Sequence, residues 1–268
     1  MSILFKNAHI VCPEQKFNQI GWMEIENNLI KKIGSDSPPK NIIAKKIIDC
    51  NKEILAPGII DMRVTSGDPG SEHLENLETL LTASSNSGIT SLVILPSTNP
   101  VVDNAAMIDS IMLRASRINL SKIFIYGSMT EKLQGEKMAE LGMMANAGAV
   151  GFSNGNKSVQ DSLIMRRILS YASMFNKPVV HHCEDKSLTK DGEMNEGEIS
   201  TRLGILGMPS AAETIILERD LQLVKLTNAQ YHASHISCKT SVDAIRKAKI
   251  EGLPVTADTC PPYFQLNE

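Results

Sequence analysis

The stretch Leu55-Ala56-Pro57-Gly58-Ile59-Ile60-Asp61-Met62-Arg63-Val64-Thr65, followed by Asp68-Pro69-Gly70, separates two parts of the chain with different rhythms. Upstream, short β-type runs at residues 3–5, 9–11, 22–25, 29–33 and 42–48 alternate with turn chemistry at Asn27-Asn28, Gly34-Ser35-Asp36 and Pro38-Pro39. Downstream, apolar runs of strand length recur at residues 58–62, 91–95, 123–126, 149–152, 178–182, 230–236 and 254–257, with amphipathic patterns between them. Near-continuous apolar strands separated by helices predict a parallel sheet covered on its faces. Helical segments are expected at 72–86, 138–147, 161–175 and 241–250, closed by Gly88, Gly148, the Asn176-Pro178 region and Gly252. The fold class is therefore α/β. A (β/α)8-type TIM barrel is expected over residues 56–268, beside a small β-rich sandwich portion over residues 1–55. A complete barrel takes eight strands; seven are legible, so the barrel is expected to be incomplete at the C-terminus of this sequence.

Composition narrows the function. At 268 residues, 42% of them hydrophobic, the chain can bury a large core. A formal net charge of −3 offers no basic footprint for nucleic acid or an anionic membrane surface, so neither partner is expected. The five cysteines are odd in number and contain no C-x-x-C pair, which argues against a disulfide framework and a thiolate zinc site. Residues 1–6 lack a signal-peptide pattern and no apolar run reaches membrane-spanning length, so a cytoplasmic location is expected.

In a (β/α) barrel, chemistry is built at the C-terminal ends of the strands. Those ends here are Arg63 and Thr65, then Ser97-Thr98-Asn99, Ser153-Asn154-Gly155-Asn156-Lys157, His181-His182-Cys183-Glu184 and His232-Ala233-Ser234-His235. Four of the six histidines sit at two of these ends, and imidazoles from adjacent strands can converge on one metal. His182 and His235 are the candidate metal ligands. Strand alternation puts His181 on the face opposite His182, and a regular strand would do the same to His232 and His235. It also directs Cys183 away from His182, against a Cys-His nucleophile. Glu196 and Glu198 with Arg202 read either as a lid over the cleft or as a solvated charged segment.

Several segments together resemble the dihydroorotases of the amidohydrolase superfamily. They are residues 55–61, Ser97-Thr98-Asn99-Pro100-Val101-Val102-Asp103, His182-Cys183-Glu184-Asp185, Met194-Asn195-Glu196-Gly197-Glu198, Ser200-Thr201-Arg202-Leu203-Gly204 and His235-Ile236-Ser237. The resemblance implies a metal-dependent barrel, with zinc as cofactor, that opens and closes the dihydroorotate ring in pyrimidine synthesis. It also implies assembly with aspartate carbamoyltransferase, so a homo- or hetero-oligomer is expected.

Carried over residue by residue, the family pattern places its His-x-His pair on Arg63 and Thr65. Its substrate-carboxylate arginine falls on Gly67, its substrate asparagine on Ser97, and its metal-binding carboxylate within Asn154-Gly155-Asn156. Only His182 and His235 match metal ligands. A catalytic zinc needs about three protein ligands and an open position, and a guanidinium brings fixed positive charge without Lewis acidity. The expectation is a dihydroorotase-like protein with no catalytic residues, a remnant metal site at His182 and His235, and a weakened or absent zinc. Its cleft is expected to be lined by Arg63, Thr65, Ser97, Asn99 and Asn154, and its role to be that of a structural partner of aspartate carbamoyltransferase. The alternative is an active cyclic amidohydrolase with a reduced metal site, completed by Asp61 or Asp258.

Overall fold

The computed structural model describes residues 2–266. Contacts divide the chain into one unit ending at Ile59 and a second beginning at Ile60. In the first, β1 (Ser2–Cys12), β2 (Phe17–Glu26), β3 (Leu29–Ser35), β4 (Lys46–Asp49) and β5 (Ile54–Leu55) form one sheet. Its order is β3-β2-β1-β4, with β5 also paired to β1. The runs at 3–5 and 9–11 are a single strand, interrupted by a register shift between Phe5 and Ala8 where Asn7 has φ 54°. Asn27 and Asn28, at φ 51° and 65°, make the β2–β3 hairpin turn, a conformation asparagine tolerates better than most residues.

The second unit contains a seven-stranded sheet of β6 (Ile59–Val64), β7 (Ile89–Ile94), β8 (Lys122–Ser128), β9 (Gly151–Ser153), β10 (Val179–His182), β13 (Tyr231–Ser234) and β14 (Val255–Ala257). A two-stranded sheet of β11 (Met194–Asn195) and β12 (Gly207–Met208) lies in the β10–β13 connection. The large sheet runs β14-β13-β10-β9-β8-β7-β6. The pairs from β7 to β14 are parallel, and Leu95 N donates to Val64 O at 2.8 Å at the end of β6. All seven expected barrel strands are thus present in sequence order, and the α/β expectation holds.

The helices are α1 (Leu77–Asn86), α2 (Ala105–Ile118), α3 (Leu141–Asn146), α4 (Ser162–Ser173), α5 (Lys186–Thr189), α6 (Glu198–Leu203), α7 (Ala211–Thr227), α8 (Lys239–Ile250) and α9 (Pro261–Gln265). α1 starts five residues after the expected 72, because Asn76 Oδ1 accepts from Thr79 N at 2.9 Å and caps it there. α2 and α7 end without glycine. Asn119 and Asn228, each at φ 52°, supply the left-handed C-terminal residue instead, which is why glycine stop signals alone miss these two helices.

The sheet has two distinct apolar faces. Leu92, Ile94, Ile125, Phe152, Val179, Tyr231 and Ala233 pack with buried residues of the helices, while Val93, Leu95, Tyr126 and Val180 form a separate cluster on the other face. On the helix-covered face lies a polar network in which every member is partnered. Asp220 interrupts the buried stripe Ile216, Leu217, Leu221, Val224 of α7. Its Oδ2 receives hydrogen bonds from His181 Nδ1 at 2.7 Å and Tyr231 Oη at 2.8 Å, and its Oδ1 from Arg219 Nη2 at 2.7 Å. His181 Nε2 accepts from Val159 N at 2.9 Å, so the ring hydrogen belongs on Nδ1, facing Asp220. Arg219 also donates to the carbonyls of Gln160 and Val159. This network ties α7, β10 and the loop after β9 together.

Burial alone would raise the Asp220 carboxyl, but His181 and Arg219 outweigh it and hold the group below its ordinary value. The stabilisation it supplies is therefore complete above the unfolded carboxyl value of about 3.9 and is lost as pH falls through the lower folded value. Asp220→Asn should lower stability at pH 7 by roughly 3–5 kcal/mol. In urea titrations the gap to the unsubstituted protein should begin to narrow below about 3.9 and close only as pH falls through the lower folded value, where both proteins lack the charge.

Candidate functional site

The C-terminal ends of β6, β9, β10, β13 and β14 deliver polar side chains to one region. At β10, alternation sends His181 into the helix-covered core, where it is fully buried, and leaves His182 on the opposite face. His182 and His235 approach with ring centroids 5.4 Å apart and planes inclined at 66°. The two remnant ligands inferred from sequence are therefore neighbours. His182 Nε2 lies 3.3 Å from Glu184 Oε2, while its Nδ1 is buried without a hydrogen-bond partner.

The β13 end departs from the regular strand assumed above. The strand stops at Ser234 and His235 takes φ 62°; its backbone N meets Asp258, which His232 also reaches, and its ring lies beside His182. Asp258 Oδ2 is 2.9 Å from His232 Nε2, and Oδ1 accepts from His235 N at 2.6 Å. His232 Nδ1 is 2.7 Å from Thr256 Oγ1 across the β13–β14 pair. Two-residue periodicity could not reveal this convergence, because one left-handed residue reverses it.

Arg63 is half-buried at the end of β6. Its Nη2 donates to Asn156 Oδ1 at 2.6 Å, and its Nη1 is buried with no partner. Burial pulls the guanidinium below its ordinary pKa, with Asp258 opposing. His235 is lowered to about 4, first by burial and then by Arg63 and His182, against Asp258. His182 is lowered in the same direction, first by burial and also by Arg63, against Glu184. The cation and the two imidazoles thus act on one another, and both rings are neutral near pH 7.

The remaining sequence candidates divide. Thr65 and Ser97 are exposed, and Ser97 lies beside the Gly155 turn. Asn99 is exposed and its backbone N donates to Pro69 O at 3.1 Å, joining the loops after β6 and β7. Asn154 is not presented to the cleft. It is 1% exposed, with Oδ1 accepting from Met129 N at 3.1 Å and Thr130 N at 3.2 Å, and Nδ2 donating to Thr130 Oγ1 at 2.8 Å. Its amide is committed to the turn after β8. At Gly67 a Cβ would lie 2.6 Å from Ser71 O and also collide with Glu75 O, so the closed loop excludes any side chain where the resemblance calls for an arginine.

An open cleft of about 790 Å³ adjoins this region, with His182, His235, Glu196, Glu213 and Tyr263 in its wall. Glu213 accepts from Ser237 N and Cys238 N at the start of α8, where a negative charge is favoured. Of the residues read as a lid or solvated segment, Glu196 lines the cleft, whereas Glu198 and Arg202 are exposed on α6.

The donor set does not fit the catalytic metal that the resemblance implies. Among the described residues the one group of three His, Cys, Asp or Glu close enough to share an ion is His181, Cys183 and Asp220. It lies in the buried network on the other face, where His181 already accepts from a backbone amide. Cys183 Sγ is 3.2 Å from Tyr231 Oη, and burial raises its thiol well above the ordinary value. At the mouth, two imidazoles face a guanidinium, and about three ligands are needed. The turn assignment of Asn154 has its own test: Asn154→Ala should cost about 1–3 kcal/mol for each backbone amide left unpaired, measured by chemical denaturation.

Comparisons with known proteins agree with this architecture. The family described as dihydro-orotase-like matches residues 52–241. A curated dihydroorotase from Desulforapulum autotrophicum is 39% identical over 271 residues, and one from Acetivibrio thermocellus is 38% identical over 266. The alignments cover 100% and 99% of this chain but only 63% and 62% of those relatives. Among solved structures, an L-hydantoinase (dihydropyrimidinase) from Arthrobacter aurescens superposes with a TM-score of 0.81 at 20% identity, covering 99% of this chain and 59% of that one. A dihydropyrimidinase from Brevibacillus agri gives 0.76 at 22% identity, covering 100% and 59%. At these identities the structures speak for the fold, while the family match spans well over half of the residues: the chain belongs to the dihydro-orotase-like family.

Proposed function

We propose that this chain is a dihydroorotase-like protein of pyrimidine biosynthesis that does not itself hydrolyse dihydroorotate and serves as a structural partner of aspartate carbamoyltransferase in the cytoplasm. The observation that carries the reading is Arg63, a half-buried guanidinium at the end of β6 that lowers the pKa of both His182 and His235. A metal-bound water reaches a pKa of about 7 because the ion is a Lewis acid with an open position. A guanidinium supplies charge alone and does not ionise the water. Asn154, at the place of the expected carboxylate, is spent on a turn, and Gly67 has no room for a substrate-binding side chain.

A second reading is favoured by one observation. Asp258 stands beside His235, so a reduced site of His182, His235 and Asp258 is the arrangement on which an active cyclic amidohydrolase would rest. It is the weaker reading because both Asp258 oxygens are already engaged by His232 and the His235 backbone.

Purified in the presence of zinc, the protein should hold well under one equivalent and show no dihydroorotate hydrolysis above the uncatalysed rate. Stoichiometric zinc with turnover would establish the second reading in its place. Arg63→His combined with Thr65→His should raise the zinc content toward one equivalent. The partnership should appear as co-elution with aspartate carbamoyltransferase from the same cell, and separate elution of the two purified proteins when mixed would remove it.

A further inference from the structure

Three arginines among the described residues are half-buried, and two of them have a carboxylate. Arg114 pairs with Asp68, and Arg219 pairs with Asp220 at 2.7 Å. Arg63 differs. Among the described residues it makes no ion pair within 4 Å, and Nη2 donates to the neutral amide of Asn156. Nη1 is closed off from solvent with its hydrogens unused. Withdrawing a guanidinium from water without a counter-charge is unfavourable, and the planar fork of arginine suits a carboxylate or phosphate.

The acidic groups nearby do not fill that need. Asp61 Oδ1 accepts from the backbone N of Arg63 at 3.0 Å. Asp258 is held by His232 and by the His235 backbone amide. Glu184 accepts from Thr189 Oγ1 at 2.5 Å through one oxygen and faces His182 Nε2 through the other. The guanidinium is left as the uncommitted charge. His182 Nδ1 is a second buried polar atom there without a partner, and His182 and His235 both open onto the cleft of about 790 Å³.

We propose that Arg63 anchors an anion-binding site at the mouth of the sheet, which takes the carboxylate or phosphate group of a small molecule and lies next to His182 and His235, the residues that open onto the cleft. The site deepens the non-catalytic reading and rests on it, since it requires the guanidinium to hold the place that a metal would otherwise occupy. The ligand neutralises Arg63, and the Asn156 amide fixes the plane of the fork.

Isothermal titration and thermal unfolding of the full chain, with acetate and with inorganic phosphate at matched ionic strength against chloride, test the proposal. Saturable binding and a raised unfolding midpoint are expected with at least one anion, and the stronger of the two identifies a carboxylate or a phosphate ligand. Arg63→Gln should weaken binding at least tenfold. Asn156→Asp provides a second arm that keeps the guanidinium folded in place: the new carboxylate supplies its missing partner, so anion affinity should also fall at least tenfold while the unfolding midpoint without anion rises. Equal affinity in all three proteins, or no saturable binding of either anion to the unsubstituted chain, overturns the site. Zinc content and dihydroorotate turnover measured on the same preparation report separately on the non-catalytic reading.

Discussion

Side-chain alternation along β10 is the constraint on which the rest of the mouth depends. Successive residues of a strand face opposite sides, so Val179 and His181 enter the helix-covered core while Val180 and His182 face the other way. The two histidines are adjacent in sequence and differ completely in chemistry. His181 has both nitrogens engaged, by Asp220 and by Val159 N, and acts as a brace. His182 keeps Nδ1 unpartnered beside His235. The brace matters for the mouth as well, because the loop it fixes at residues 158–160 continues from Asn156, the residue that holds the Arg63 guanidinium.

Electrostatics at the mouth turn on the guanidinium of Arg63, which pushes His182 and His235 toward the neutral form. A metal ion and a guanidinium both place positive charge near His182 and His235, and both favour neutral imidazoles. They differ in what they do next. A metal accepts lone pairs and keeps a position open for water, whereas a guanidinium donates hydrogen bonds and requires acceptors. The acceptor that Arg63 finds is the Asn156 amide. Around it, Asp258, Glu213 and Asn154 each accept backbone amides that would otherwise be unpaired.

Much of the fold was legible because it rests on local periodicity. Apolar runs marked all seven strands of the large sheet, and a following glycine marked α1, α3 and α8, though not the short α6, which Gly204 closes. α2 and α7 escaped it because asparagine closes them. In the site, position at a strand end marked His182 and His235, whose rings lie with centroids 5.4 Å apart. Asn154 misled for a physical reason. A polar residue at a strand end reads as a cleft residue, but hydrogen bonds to Met129 and Thr130, 25 and 24 residues away in sequence, turn its amide inward. Asp220 left a fainter trace, a charge inside an apolar helical stripe, whose partners lie on β10 and β13.

The sequence by itself determined the α/β architecture, the order of strands and the kinds of side chain available at their ends, since these depend on residue type and spacing along the chain. Tertiary structure alone decided which of those side chains meet. The left-handed turn at His235 puts its backbone N onto Asp258 beside His232, and among the described residues the half-buried guanidinium of Arg63 has no carboxylate within 4 Å. Hydrogen-bond partners separated by dozens of residues are chosen by packing in three dimensions, and no local pattern encodes them.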